Sequence, residues 1–366
     1  MSIKNKIGLV SAAAFAAAAF TAPVAALSLK DKKVTFIVPY KEGGGTDTMA
    51  RIFQPFLQKY LPGNPTILVL NQPGGAGSKA SNKFQREGRT DGTMIIAISS
   101  SALVAYTMRA KKVKYDVLSW HPVILIPRGG VMYANPKHTG IIGHGKDVVA
   151  DIKKLQKAKG LVNGTKNPVD GGLRGTLGYA LMGITHDTTF GLSTSKQRKA
   201  FHRDEISLNY DATGPYIKKV KKHEKKGTVA PFVAFGYFDS EGKIKRDLTF
   251  PNLPTIEEAV TNLNGKPPSG PMWEAFKNFM GIGVNASKAI ALPKGTSSEI
   301  VAVYQKAMKQ IAADSKFQKI AEKRFGKLPI VFGADAKKIL KQATTMKPST
   351  RKWMKKFIKD KYDVNI

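Results

Sequence analysis

Small and hydroxyl-bearing residues crowd three short stretches of the chain. They are Tyr40-Lys41-Glu42-Gly43-Gly44-Gly45-Thr46-Asp47, Asn71-Gln72-Pro73-Gly74-Gly75-Ala76-Gly77-Ser78, and Ser99-Ser100-Ser101. Residues of these types act on a ligand by hydrogen bonding. Glycine lets a ligand approach the backbone N–H groups closely, serine and threonine add hydroxyls, and the start of a following helix adds partial positive charge. The chemistry that results is capture of an anion or a carboxylate. One such turn alone is a weak motif, since a plain strand-to-helix connection looks the same.

Catalytic alternatives find little in the sequence. The six histidines, His121, His138, His144, His186, His202 and His223, form no H-E-x-x-H or other metal-binding spacing. There is no cysteine and no G-x-S-x-G elbow. Ser99 to Ser101 could supply a hydroxyl nucleophile, yet no base is placed beside them by sequence. Gly74 to Ser81 reads GGAGSKAS, which fits neither G-x-x-x-x-G-K-[ST] nor G-x-G-x-x-G. No metal and no nucleotide or other cofactor is expected. Asp47 would repel an acidic ligand, so its expected role is to order the loop or to bind water or an amino group.

The elements that must position these turns are strands and helices in alternation. Val34, Phe36, Ile37 and Val38 form an apolar run suited to a strand buried on both faces. After the glycines, Thr46 or Asp47 is placed to cap a helix whose apolar residues Met49, Ile52, Phe53, Phe56, Leu57 and Tyr60 recur at three and four; Pro55 should kink it or end it early. Thr66 to Leu70 and Thr93 to Ile98 read as further strands, with a polar helix from about Ser78 to Glu87 between them. Right-handed crossovers put the ends of three parallel strands on one edge, the edge at which open α/β sheets bind ligands. Three polar turns meeting there are better explained as a site than as coincidence.

At 366 residues the chain exceeds one ordinary core, so two domains are expected. Lys4 and Lys6 precede an apolar stretch from Ile7 to Phe20 and a small-residue segment at Val24-Ala25-Ala26, the layout of a secretory signal peptide cleaved near Ala26. The mature protein is then exported, which in a bacterium means the periplasm. With no cysteine, stability rests on the core. The 59 Lys and Arg against 26 Asp and Glu give +33, or +31 once Lys4 and Lys6 are removed. The lysines are spread along the chain without aromatic-plus-basic clusters, so the charge reads as a solvated, anion-attracting surface and not as a nucleic-acid interface.

TFIVPYKEGGGTDTMAR, then LNQPGGAGS, then DGTMIIAISSS, with Phe250-Pro251-Asn252-Leu253-Pro254-Thr255-Ile256-Glu257-Glu258-Ala259 and Lys294-Gly295-Thr296 further on, resemble the substrate-binding proteins of tripartite tricarboxylate transporters, the Bug family. The resemblance covers nearly the whole mature chain, is strong to about residue 120 and from about 248, and is loose between. It implies an α/β fold of the two-lobed periplasmic binding protein type, type II-like, each lobe a mixed sheet flanked by helices with a ligand cleft between. Lobe 1 would take residues 27–125 and 249–366 and lobe 2 residues 126–248, with the chain crossing at Pro127-Arg128-Gly129-Gly130.

By the same resemblance the ligand would meet Tyr40, Gly44, Gly45, Thr46 and Asp47; Gly74, Gly75, Ala76, Gly77 and Ser78; and Ser99, Ser100 and Ser101. From lobe 2 the helix start Gly171 to Tyr179 would close the site with Arg174, Gly175 and Thr176, Arg174 offering its planar fork to a carboxylate. Tyr210 and Thr213 would also face it, although Asp211 departs from the family pattern. Residues 186–205 read as an insertion or irregular loop, and Ile217 to Lys226 as a solvated helix face. A basic amphipathic helix around Trp353, Met354, Phe357 and Ile358 is expected to dock back across the lobes. The function implied is delivery of a small organic acid, by a monomer, to one large and one small integral-membrane subunit. A carrier of amphoteric or aromatic acids, a ligand sensor for a receptor, and a hydrolase using Ser99 to Ser101 are the alternatives.

Overall fold

The computed structural model describes residues 28–239 and 241–366, so the signal-peptide expectation for residues 1–26 lies outside the described residues. Among the described residues thirteen strands run in order β1 Lys33–Val38, β2 Thr66–Asn71, β3 Met94–Ser99, β4 His121–Ile126, β5 Gly130–Ala134, β6 Val162–Gly164, β7 Asp187–Thr189, β8 Leu208–Ala212, β9 Ala230–Ala234, β10 Tyr237–Phe238, β11 Ile244–Lys245, β12 Lys288–Leu292 and β13 Val331–Phe332. They make a six-stranded sheet, β13-β4-β12-β3-β1-β2, a five-stranded sheet, β7-β6-β8-β5-β9, and the hairpin β10-β11. Both large sheets mix parallel and antiparallel pairs and are flanked by helices, so the chain has an α/β fold of two lobes.

The first sheet sets the turns. β1 pairs in parallel with β2, Val38 opposite Asn71, and with β3, Ile37 opposite Ile96, so all three strands end on one edge. Alternation along each strand explains its double burial: Phe36, Val38, Ile95 and Ala97 pack to one side, and Ile37, Ile96 and Ile98 to the other. The first side is covered by helix Gly45–Tyr60, where Met49, Phe53 and Leu57 recur at four, and by helices Ser298–Ala313 and Ser315–Phe325. Phe53 meets Phe317 edge to face at 4.9 Å. Each such buried ring is worth roughly 1.5–3 kcal/mol. Pro55 lies inside the helix, which nevertheless continues to Tyr60. Its N-cap is Gly44, not Thr46 or Asp47.

The second lobe is built on β5, with β8 and β9 antiparallel to it on either side. Residues 186–205 are not irregular: they hold β7 and a helix, Thr194–His202, capped by the Ser193 hydroxyl and anchored by buried Ala200 and Phe201. The expected helix face at Ile217 to Lys226 is instead a π-turn over Tyr216–Val220 followed by a short 3₁₀ turn, Lys221–His223. Helix Ile256–Asn264 carries a full capping box, Thr255 with Glu258, and its Ile256, Ala259 and Val260 join the second lobe's Ile152, Leu155 and Phe232, so this lobe reaches past residue 248. Among the described residues no helix is long and apolar enough to cross a membrane.

One hydrophobic core runs continuously from the first sheet into the second lobe. Helix Gly270–Gly283 packs against helix Leu173–Leu181 of the second lobe and against the last helix, Pro348–Tyr362. That last helix spans both lobes. Arg351 donates to the Thr107 carbonyl in the first lobe at 2.9 Å, and Tyr362 reaches the hydroxyl of Thr176 in the second at 3.3 Å. Gly129, at the first crossing, lies so close to Asp247 that a Cβ there would come within 1.6 Å of its carboxylate.

Candidate functional site

The first turn is held from beneath by Asp47. This buried carboxylate accepts from Gly43 N at 2.9 Å, from the Asn71 amide at 3.0 Å and from the Arg51 guanidinium at 3.0 Å. Burial alone would raise its pKa. The Arg51, Asn71 and Gly43 donors outweigh burial and hold it below the ordinary carboxylate range. Asp47 thus ties the ends of β1 and β2 together, and its oxygens are already engaged.

Tyr40 joins the other two turns. Its hydroxyl accepts a short hydrogen bond from Ser99 and donates to the Ala76 carbonyl at 3.1 Å, and Gly77 lies against the hydroxyl end of its ring, where a Cβ would not fit. Burial pushes its pKa up to about 12, with the Ser99 hydrogen bond opposing. Gly74 and Gly75 are exposed at the rim, facing Lys79 and Lys112, and Ser78 is buried behind them at the start of its helix. Ser100 and Ser101 open helix Ser100–Thr107 and are half-buried.

The second lobe meets the first here. A Cβ on Gly171 would lie 3.3 Å from the Ser100 hydroxyl. Helix Leu173–Leu181 begins two residues later. Tyr210 donates to the Gly171 carbonyl at 3.2 Å, and its ring backs Gly175, where a Cβ would meet it at 3.0 Å. Asp211, the next residue of β8, points to the opposite face, where Tyr133 donates to it at 3.0 Å and Arg198 pairs with it. Strand alternation therefore separates Tyr210 from the residue that breaks the family pattern. Burial raises the Asp211 pKa to about 6, opposed by Arg198 and the Tyr133 hydrogen bond.

Two of the expected ligand residues go elsewhere. The Thr176 hydroxyl faces Tyr362, because two helical steps from Arg174 turn it about 200° away. Thr213 donates to Asp247 at 3.3 Å beneath Gly129, so it braces the crossing between lobes. Asp47 and Ser78 lie beneath and behind the turns, and the other expected residues sit in the three turns, at the start of helix Leu173–Leu181 and on β8.

Arg174 is buried, with 6 % of its surface exposed. Its guanidinium carbon lies 5.0 Å from the Tyr210 ring centre and 4.9 Å from that of Phe235, and it presses on Gly283, where no side chain would fit. Its Nε has no hydrogen-bond partner among the described residues. Burial lowers its pKa. Arg128, half-buried at the first crossing, shares this property: its Nε also lacks a partner, and its Nη1 lies 3.7 Å from where a Cβ on Gly45 would be. Burial and then Arg174 bring its pKa down to about 10, with Asp211 opposing. Lys288, opposite Ser99 in the register of β12 with β3, donates from Nζ to Thr46 Oγ1. Burial, and then repulsion from Arg128, Lys166 and Arg174, hold it well below the usual lysine range.

Arg128, Lys288 and Phe235 were not singled out from the sequence. Lys288 left a signal, being a lysine at the head of the apolar run Ala289 to Leu292. A separate cavity of about 270 Å³ lies between the β10-β11 hairpin and helices Gly270–Gly283 and Gly333–Thr344. Of its charged residues, Lys277 pairs with Glu274 and Asp239 with Lys245.

No family model matches the chain. The curated protein BugT of Bordetella pertussis is 31% identical over 103 residues, 28% of this chain and 31% of that one. The match therefore spans about a third of the relative's length. Among solved structures, Rpa4515 of R. palustris with adipate has a TM-score of 0.63 at 18% identity, covering 91% of this chain and 98% of that one. MatC of Rhodopseudomonas palustris with bound malate has a TM-score of 0.60 at 18% identity, covering 89% and 98%. The chain is thus similar over 103 residues to part of BugT and shares the two-lobed fold of the two solved structures.

Proposed function

We propose that the chain is a periplasmic solute-binding protein that takes up a small organic acid at the junction of its lobes. It would deliver that acid to a membrane transporter of the tripartite tricarboxylate type, with one large and one small integral-membrane subunit. The observation that carries the reading is the buried Arg174 guanidinium, its Nε without a partner among the described residues, in the first turn of helix Leu173–Leu181, whose approach through Gly171 meets the start of helix Ser100–Thr107. A buried cation without a counter-charge is costly, and a carboxylate entering there removes that cost. The adipate and malate of the two similar structures are acids of the same kind.

On this reading Tyr40, Gly44, Gly45, Thr46, Gly74, Gly75, Ala76, Gly77, Ser99, Ser100 and Ser101 line the site from lobe 1, and Arg174, Gly175 and Tyr210 from lobe 2. Residues 1–26 direct export to the periplasm, and the mature chain works as a monomer. The chain binds and does not turn over its ligand: the Ser99 hydroxyl is spent on Tyr40, whose raised pKa makes it a poor base. Thermal-shift screening of the mature chain against mono-, di- and tricarboxylates tests this. A matching acid at a hundred times its Kd should stabilise the fold by about 2.7 kcal/mol. No shift with any acid, together with turnover of an ester, would overturn the reading.

A further inference from the structure

Three basic side chains, two of them guanidiniums, lie at the lobe junction without an acid among them. Lys288 Nζ touches Thr46, Arg128 Nη1 lies by Gly45, and Arg128 donates its backbone N–H to the Val284 carbonyl at 3.0 Å. Arg174 presses on Gly283, the residue before Val284. The Arg128 and Lys288 heads thus meet at Gly45-Thr46, and the Arg128 backbone ties that spot to the segment against which Arg174 lies, Gly283-Val284. None of the three appears in an ion pair among the described residues. Arg174 and Lys288 are 6 % and 7 % exposed, so water screens them poorly.

The nearby acids are already engaged. Asp211 is paired with Arg198 and hydrogen-bonded by Tyr133. Asp170 accepts from Gly172 N at 2.6 Å and from the Thr165 hydroxyl at 3.0 Å. Exposed Lys166 adds further positive field. A single carboxylate would leave most of this charge uncompensated. A ligand with one charge at each end would put its second charge out of reach of the cluster.

We propose that Arg128, Arg174 and Lys288 form a side-chain subsite that selects organic anions carrying two negative charges on one head group, over acids whose single charges sit apart. This rests on the organic-acid reading above and adds to it the placement of charge on the ligand. Backbone donors at glycine turns bind one carboxylate as well as two, so they cannot make this distinction; clustered side-chain cations can. Two chemistries share the required head, a phosphonate and a pair of carboxylates on one carbon.

Calorimetric titration of the mature chain at pH 8 with butyrate, succinate, ethylmalonate and butylphosphonate separates the cases. Ethylmalonate or butylphosphonate should bind at least tenfold tighter than succinate, and whichever binds tighter names the head. Arg174→Gln and Lys288→Met should weaken the tighter paired-charge probe more than succinate, shrinking that gap to less than threefold. Arg128→Gln, at a half-buried position, repeats the test if either buried variant fails to fold. Succinate binding as tightly as both paired-charge probes, or variants that weaken all four acids equally, would overturn the subsite and leave the organic-acid reading standing. No binding by these four or by the wider carboxylate panel would overturn both.

Discussion

Lys288 is the residue at which stability and function pull in opposite directions. Its pKa in the folded protein lies well below the usual lysine value, so between the two values the unfolded chain holds a proton that the folded chain has released. Unfolding there takes up a proton, and the ligand-free fold should grow more stable as pH rises toward about 10. Lys288→Met removes that group, so thermal melts of the ligand-free variant between pH 6 and 9 should be flatter than wild type, with a higher midpoint at neutral pH. Equal slopes would mean that Lys288 is not strained. Asp47 has the opposite sign. Its pKa is depressed, so its contribution is present above about pH 4 and fades as pH falls through the folded value. Asp47→Ala leaves Gly43 N, Arg51 and Asn71 without their acceptor and should cost on the order of 1–3 kcal/mol in urea unfolding at pH 7. A loss below a few tenths would show that water replaces the carboxylate.

At the scale of elements, what could be read in advance divides by how local its cause is. The strand, glycine turn and helix at Lys33 to Tyr60 follow from apolar runs and breakers that neighbours in sequence decide, and the structure has them. The cap of helix Val148–Lys157, Asp147, is a contact three residues long, a cause of the same kind that is visible from neighbours in sequence. The helix at Thr194–His202 was not, because its core contacts are few and its polar face dominates the pattern. Arg128 and Lys288 were hidden for another reason. Their meaning lies in each other and in Arg174, residues far apart in the chain that only the tertiary fold brings to one place. The crossing at Gly129 belongs to this scale too. A Cβ there would overlap the Asp247 carboxylate and crowd Thr213, so Gly129→Ala should destabilise by about 1–3 kcal/mol and weaken ligand binding by shifting one lobe on the other. Unchanged melting and binding would show that Asp247 can move aside freely.

The whole molecule places its excess positive charge in two ways. Most lysines are dispersed over the surface and pair with few acids, so their field draws anions in and is screened within about 8 Å at physiological salt. Arg128, Arg174 and Lys288 lie at the lobe junction, where screening is weak and a bound anion gains most. The last helix, attached to Thr107 in one lobe and Thr176 in the other, limits how far the lobes separate. The most direct test of the central claim is a crystal structure of the mature chain with the acid that stabilises it most. The acid is expected between Gly45-Thr46 of one lobe and Arg174 and Tyr210 of the other, with a carboxylate or phosphonate oxygen within hydrogen-bond distance of a guanidinium nitrogen. An acid seated instead in the cavity beside Phe238 and Gln342, with the Arg174 Nε still unpaired, would contradict it.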